Sequence, residues 1–203
     1  METEPQQPSA ADAESAARAE DARVKRLNTR VAITVALLAT FVGICKVKDD
    51  NIVQAMQQAQ ADRIDQWAFY QARNIRQEVA DATVAELELQ SNGQSAAVQT
   101  RYAPVIARYK ALVADQAQKK ALVQQQALND ERMYDALNYR DDQFDLSDAL
   151  TAIAIALLAV TSLTEKEWLF RVAMVPTALG VLMGVAGLAG WRLHPSMLTA
   201  LLS

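Results

Sequence analysis

Three blocks of apolar residues interrupt a mostly polar chain, at residues 31–45, 149–163 and 172–191. None of these blocks contains Asp, Glu, Lys, Arg or His. A helix of about 20 apolar residues crosses the ~30 Å hydrocarbon core of a bilayer. The third block has that length, and the two shorter blocks reach it because flanking basic side chains can extend to the headgroups. The pattern predicts three transmembrane helices, at residues 27–48, 146–164 and 172–191.

The second span is expected to begin as a separate helix. Asp145 and Ser147 stand just before its apolar run, and either side chain suits the N-terminal cap of a helix. Other carboxylates crowd the same point, and they are expected to complement the dipole at a helix N-terminus. A metal ion or a proton relay is the less favoured use of this group. The remaining members of the group are Asp141, Asp142 and Asp148.

The segment between the first two spans, residues 49–145, has the composition of long helices. It is rich in Ala, Gln, Leu, Glu, Lys and Arg, which are good helix formers. Its clearest interruption is Ser91-Asn92-Gly93, where Asn and Gly suit the left-handed residue that ends a helix, and Pro104 is expected near the first turn of the next helix. The predicted fold is therefore all-α, with three transmembrane helices and a long antiparallel, coiled-coil-like helical hairpin between the first and second spans.

Apolar residues recur at intervals of three and four on both arms of this hairpin, as in a packed seam. The seam weakens over residues 116–126, where Gln and Lys replace apolar side chains. That stretch is either a solvated face or a place where another subunit completes the packing. The predicted seam residues are Ile52, Met56, Ala59, Ile64, Trp67, Ala68, Ile75, Val79 and Ala82 on the first arm, and Tyr102, Val105, Ile106, Tyr109, Leu112 and Val113 on the second.

Basic residues near the span ends predict the orientation in the membrane. Five Lys and Arg side chains lie between residues 18 and 30, and Lys166 and Arg171 lie in the link at 165–171. Lys and Arg near span ends favour the cytoplasmic side. We therefore expect a multi-pass protein of the bacterial inner membrane with a cytoplasmic N-terminus and residues 49–145 in the periplasm. A cleaved signal peptide is the less favoured interpretation of the first block, because a long segment precedes it.

The two ends of the chain have compositions unlike the rest. Residues 1–26 are predicted to be a cytoplasmic segment, disordered at its start and helical further on. The tail at residues 192–203, with several Leu residues, is predicted to lie in the membrane interface.

The charge and the rare residue types exclude several functions. A net charge of −4 disfavours binding to nucleic acid, because phosphate backbones require clustered Lys and Arg. Cys45 and His194 are the only residues of their types, and no nucleophile motif accompanies them. We expect no cofactor, no bound metal and no enzymatic activity.

Two sets of residues are candidate contacts with a partner or a second copy. The first set lies on one helical face and combines aromatic area with hydrogen-bonding groups, which is typical of interface anchors. Its alternative role is core packing within the hairpin or between subunits. The second set follows the small-xxx-small pattern that lets membrane helices approach closely. The first set is Arg63, Trp67, Tyr70, Gln71 and Asn74, and the second is Gly180, Gly184 and Gly187.

The motif Gln-Trp-Ala-Phe-Tyr-Gln-Ala-Arg-Asn-Ile-Arg at residues 66–76 resembles a family of uncharacterised bacterial membrane proteins, the domain of unknown function numbered 4337. The approach to the second span at 144–150 and the link at 163–169 resemble the same family. The resemblance covers roughly residues 25–191. It implies the same three-span plan with a helical insert, and it implies no activity.

The expected function is that of a non-enzymatic, self-associating inner-membrane protein whose helical hairpin is a scaffold or docking element. Its expected partners are the lipid bilayer, further copies of itself, and other membrane or periplasmic proteins. The alternative is a homo-oligomeric channel or pore closed by a hydrophobic gate.

Overall fold

A computed structural model describes residues 10–191 of the chain, apart from the side chains of residues 10, 12 and 13. It contains three helices, α1 (Ala10–Ser91), α2 (Ala96–Thr164) and α3 (Glu167–Ala189). The prediction of an all-α fold is confirmed. Residues 11–26 already belong to α1, whereas residues 1–9 and the predicted interfacial tail with His194 lie outside the described residues.

The first two helices are continuous through the points where separate helices were predicted to meet. Asp145 and Ser147 lie deep within α2, so the prediction that either caps the second span is wrong. The physical reason is that no Gly or Pro stands between Pro104 and Ala149, so nothing in that sequence ends the helix. Pro104 itself lies inside α2 rather than in its first turn.

The ends of the helices use backbone conformations that were partly predictable. After α1, Gly93 has φ 77°, and the amide of Asn92 donates to the carbonyl of Glu88 at 3.1 Å. The predicted interruption at residues 91–93 is therefore confirmed. Between α2 and α3, Glu165 takes the left-handed conformation with φ 57°, and Gly190 ends α3 with φ 69°.

The described residues form two compact units. The first unit contains the chain up to Asn51 and from Tyr139 onward, and the second unit is Ile52–Asn138. In the first unit, all three helices contribute to an apolar core around Leu38, Leu158 and Ala173. Each of the three helices contains a segment long and apolar enough to cross a membrane.

In the second unit, α1 and α2 pack antiparallel along a seam. Its buried apolar residues include Ile52, Met56 and Ala59 on α1 and Ala127 on α2. The predicted hairpin is thus two helices joined by a short turn at residues 92–95.

Candidate interaction surface

The seam of the second unit follows a seven-residue repeat. Along α1, every buried or half-buried seam position lies three or four residues after the previous one. A repeat of 3.5 residues per turn is the signature of coiled-coil packing. The α1 positions are Met56, Ala59, Arg63, Gln66, Tyr70, Arg73, Gln77, Ala80, Val84 and Leu87, and the matching α2 positions are Ile106, Tyr109, Val113, Gln116, Lys120, Val123, Ala127, Asp130, Tyr134 and Leu137.

The predicted seam is confirmed only in part. It is correct at both ends, for Ile52, Met56 and Ala59 and for Tyr102, Ile106, Tyr109 and Val113. It is wrong in the middle, because the predicted apolar residues there are exposed while polar residues continue the repeat. The misplaced residues are Ile64, Ala68, Ile75, Val79 and Ala82 on α1, and Val105 and Leu112 on α2.

Polar side chains pair with each other across the middle of the seam. Arg73 Nη1 donates to Gln116 Oε1 at 3.2 Å, and Gln116 is only 5% exposed. Lys120 Nζ donates to Asn74 Oδ1 at 2.9 Å and lies 5.8 Å from the ring centre of Tyr70. Burying a polar group costs free energy unless the group is hydrogen-bonded. These contacts therefore favour the one alignment of α1 against α2 in which the polar side chains are paired.

A second cation–π contact continues this polar middle, because the Arg63 guanidinium lies 5.7 Å from the ring centre of Tyr134. Trp67 packs edge-on against Tyr70, with ring centres 5.4 Å apart. Trp67 and the exposed Gln71 also line an open groove beside the seam. The other residues of its lining are Arg63, Ile64, Ala68 and Glu131. The predicted interface cluster is therefore divided. Arg63 and Tyr70 belong to the seam repeat, and Asn74 accepts from Lys120 across it. Trp67 and Gln71 line the groove together with Arg63.

The apolar residues missing from the seam form a stripe on the other side of α1. Successive residues turn by 100° around a helix, which places this stripe opposite the seam. Ile64, Ile75, Val79 and Leu89 are between 58% and 74% exposed. We call this stripe the back face of α1. Its members are Ile64, Ala68, Ile75, Val79, Ala82 and Leu89.

The predicted glycine contacts lie within one copy of the chain. A Cβ on Gly180 would meet Thr151 at 2.8 Å, and one on Gly184 would meet Phe41 at 2.6 Å. A Cβ on Gly187 would meet Phe144 at 2.9 Å. These glycines let α3 approach α1 and α2, so we place no contact between copies on them.

The carboxylates near residue 145 form a cluster with Asp49 of α1. Lys46 Nζ donates to Asp49 Oδ2 at 2.8 Å, and Asp49 is 5% exposed. Cys45 is a buried free thiol. It lines a small pocket together with Lys46, Asp49 and Asp148. Within residues 10–191, no three His, Cys, Asp or Glu side chains are arranged to hold a metal ion.

Two features were missed by reasoning from the sequence. The back face was assigned to the seam, although the unbroken repeat through Arg63, Tyr70 and Gln77 was a signal that the seam continues through polar positions. The approach of Asp49 to Asp141 had no sequence signal, because the two residues are far apart in the chain.

The family model described as "Domain of unknown function (DUF4337)" matches residues 27–190 of the chain. This range agrees with the resemblance seen in the sequence. No curated protein and no solved structure matches the chain.

Proposed function

Because this chain belongs to the DUF4337 family, whose description assigns no activity, we propose its function from the geometry of its own helices. The protein is a non-enzymatic, self-associating protein of the bacterial inner membrane. Its N-terminus is cytoplasmic, and residues 49–145 are a periplasmic helical scaffold on which further copies dock.

The observation that carries this proposal is the back face of α1. From Ile64 to Leu89 the stripe is about 38 Å long, at 1.5 Å per residue. An apolar stripe of this length on an exposed helix is typical of a surface that packs against another helix. The α2 helix of the same chain leaves most of it uncovered, because Ile75, Val79 and Leu89 are between 60% and 74% exposed. Its first residues, Ile64 and Ala68, border the groove that Glu131 of α2 also lines.

Charge complementarity supports a second copy as the occupant. Residues 77–91 of α1 contain Glu78, Asp81, Glu86 and Glu88 and no basic residue. Residues 101–110 of α2 contain Arg101, Arg108 and Lys110 and no acidic residue. Glu88 and Lys110 pair with each other within one copy, at 2.6 Å. The other charges of the two segments, acidic on α1 and basic on α2, are the ones that can pair between identical subunits.

The positions of these charges fit neighbours in one membrane. Copies inserted in the same direction place α1 of one copy antiparallel to α2 of the next. Glu78 and Arg108 are each fifteen residues from Gly93, so they lie at similar levels in adjacent copies. Such a head-to-tail contact closes into a ring or continues as a row.

Exposed apolar side chains on the three spans support membrane insertion. Leu37, Ile153, Val175 and Leu182 are between 47% and 67% exposed, with no charged residue beside them in their blocks. Burial of such side chains in hydrocarbon is favourable, whereas a belt of them in water is costly.

Substitutions on the back face test the proposal. We expect Ile75→Gln with Val79→Gln to lower self-association at least tenfold, because the stripe loses its apolar centre. Energy transfer between labelled copies in lipid vesicles measures the association. Met133→Gln on α2 is the matched control, since Met133 is also 48% exposed but lies outside the back face. Association of the double variant at the wild-type level would overturn the proposal.

A charge exchange tests the choice of occupant separately. Arg108→Glu is expected to weaken association, and Glu78→Arg in the same chain is expected to restore it, because the pair is re-formed between copies. Arg132→Glu, also an exposed α2 site, is expected to have little effect. Loss of association in Arg108→Glu without rescue by Glu78→Arg would contradict pairing of these two residues between copies, and an unchanged association in Arg108→Glu would contradict the charge argument for a second copy.

The alternative function is a pore, and its channel would lie between copies, because the three helices of one copy pack directly against each other. Within one copy α3 packs directly on α1 at Gly184 and on α2 at Gly180. Conductance across lipid bilayers over a range of tension and voltage would favour the pore, and its absence would favour the scaffold.

A further inference from the structure

Asp49 has a buried oxygen that lacks a hydrogen-bond donor. The residue is 5% exposed, and Lys46 Nζ donates to its Oδ2 at 2.8 Å. Its other oxygen, Oδ1, is buried without a partner among the described residues. A carboxylate oxygen held away from water without a donor is costly, so a donor on a neighbouring group would stabilise this atom.

Asp141 on α2 is the neighbouring group that can supply the proton. Its carboxyl interacts with that of Asp49, and both residues belong to the first unit. Partial burial, followed by the contact with Asp49, raises the pKa of Asp141 to about 6. Two carboxylates in contact do not both ionise readily, as in other acid pairs that share a site.

The surrounding charges also favour a bound proton. On α1 the pair is faced by Lys46 and Asp50, which lie 3.9 Å apart. On α2 it is faced by Asp142, Asp145 and Asp148, and the negative charge of Asp145 also raises the pKa of Asp141. Helix α3 has no titratable residue from residue 172 to its end. One lysine therefore faces several carboxylates, and this excess of negative charge stabilises an added proton.

We propose that Asp49 and Asp141 form a proton-binding site in which the protonated Asp141 carboxyl donates a hydrogen bond to Asp49 and so joins α2 to α1. Lys46 Nζ contacts the other oxygen of the Asp49 carboxyl, Oδ2. When the proton leaves, two negative charges meet at a partly buried contact. The site thus strengthens the contact between α1 and α2 in an acidic medium and weakens it in a neutral one.

The sign of the effect on stability follows from the direction of the shift. Asp141 has a higher pKa in the folded chain than in the unfolded chain, so the folded state binds more protons between about pH 4 and pH 6. The free energy of unfolding is then greatest at low pH within this window, and it falls as pH rises through about 6.

Infrared spectroscopy of the full chain in lipid discs tests the site, because a protonated carboxyl has its own carbonyl absorption. We expect one such band to disappear near the pKa given above in the wild type and in the control Asp65→Asn, which changes an exposed aspartate of the second unit. We expect the band to be missing in Asp141→Asn, which keeps a donor for Asp49. The same variant is expected to reduce the pH dependence of the thermal midpoint, to which Asp145, whose pKa is also raised by burial, still contributes.

Asp49→Asn supplies a second test. Without the charge of Asp49, the titration of Asp141 is expected to move toward the ordinary range of aspartate, about 4. Persistence of the band near pH 6 in Asp141→Asn would overturn the proposal, and so would a wild type with no carboxyl titrating above about pH 5. Neither outcome depends on the state of association of the chain.

Discussion

Gly184 shows how one residue determines the approach of the three apolar helices. The position faces Phe41 of α1 and Ser147 of α2, and a Cβ there would lie 2.6 Å and 2.7 Å from their nearest atoms. Ser147 Oγ also donates to the carbonyl of Gly180 at 2.8 Å. A side chain at residue 184 would therefore displace the Phe41 ring and disturb the hydrogen bond from Ser147 to Gly180.

We expect Gly184→Ala to lower the free energy of unfolding by about 1–3 kcal/mol, the usual cost of overpacking a dense core. Gly43→Ala is the matched control, because a Cβ on Gly43 meets nothing within 4 Å. The control is expected to be neutral or slightly stabilising, since Ala favours a helix over Gly. Denaturant unfolding in detergent micelles measures both, and equal effects would contradict this packing.

At the scale of the element, α1 continues from an apolar span into a polar-centred coiled coil without interruption. The same repeat passes through Leu38, Cys45, Ile52 and Ala59 and then through Tyr70. Apolar side chains hold the first part of the seam, and paired polar side chains hold its middle. The apolar residues of α1 between 64 and 89 therefore lie on the back face and not in the seam.

Lys120 is the residue that tests the polar middle of the seam. It donates to Asn74 and lies over the ring of Tyr70, so Lys120→Met is expected to lower the free energy of unfolding by about 1–2 kcal/mol. Lys119→Met is the control, because Lys119 donates to Asp115 of its own helix. Loss of this exposed pair is expected to lower the free energy of unfolding by about 0.5 kcal/mol or less. A larger loss in the control than in Lys120→Met would contradict the assigned register.

The sequence sufficed for the helices and their turns because composition and Gly93 act locally. It failed where the choice was between faces of one helix. Ile75 and Val79 are apolar, and hydrophobicity alone assigns them to the core. Their exposure depends on polar pairs such as Arg73 with Gln116, which only the alignment of both helices reveals. The contact between Asp49 and Asp141 depends on the same long-range alignment.

At the scale of the whole molecule, each apolar surface has a separate expected use. Gly180, Gly184 and Gly187 of α3 pack against α1 and α2 of the same copy. The exposed apolar side chains of the three apolar segments are expected to contact lipid. The back face of α1 then stands as the large apolar surface for which a second copy is the proposed partner. Self-association is the central claim, because the scaffold and the pore both require it.

The mass of the native particle in lipid discs tests that claim most directly. Native mass spectrometry of the wild type is expected to show a particle of several copies of the 22.2 kDa chain. The particle is expected to dissociate when Ile75 and Val79 are both replaced by Gln. A wild-type particle containing a single chain, at concentrations where the protein fills the membrane, would contradict the account.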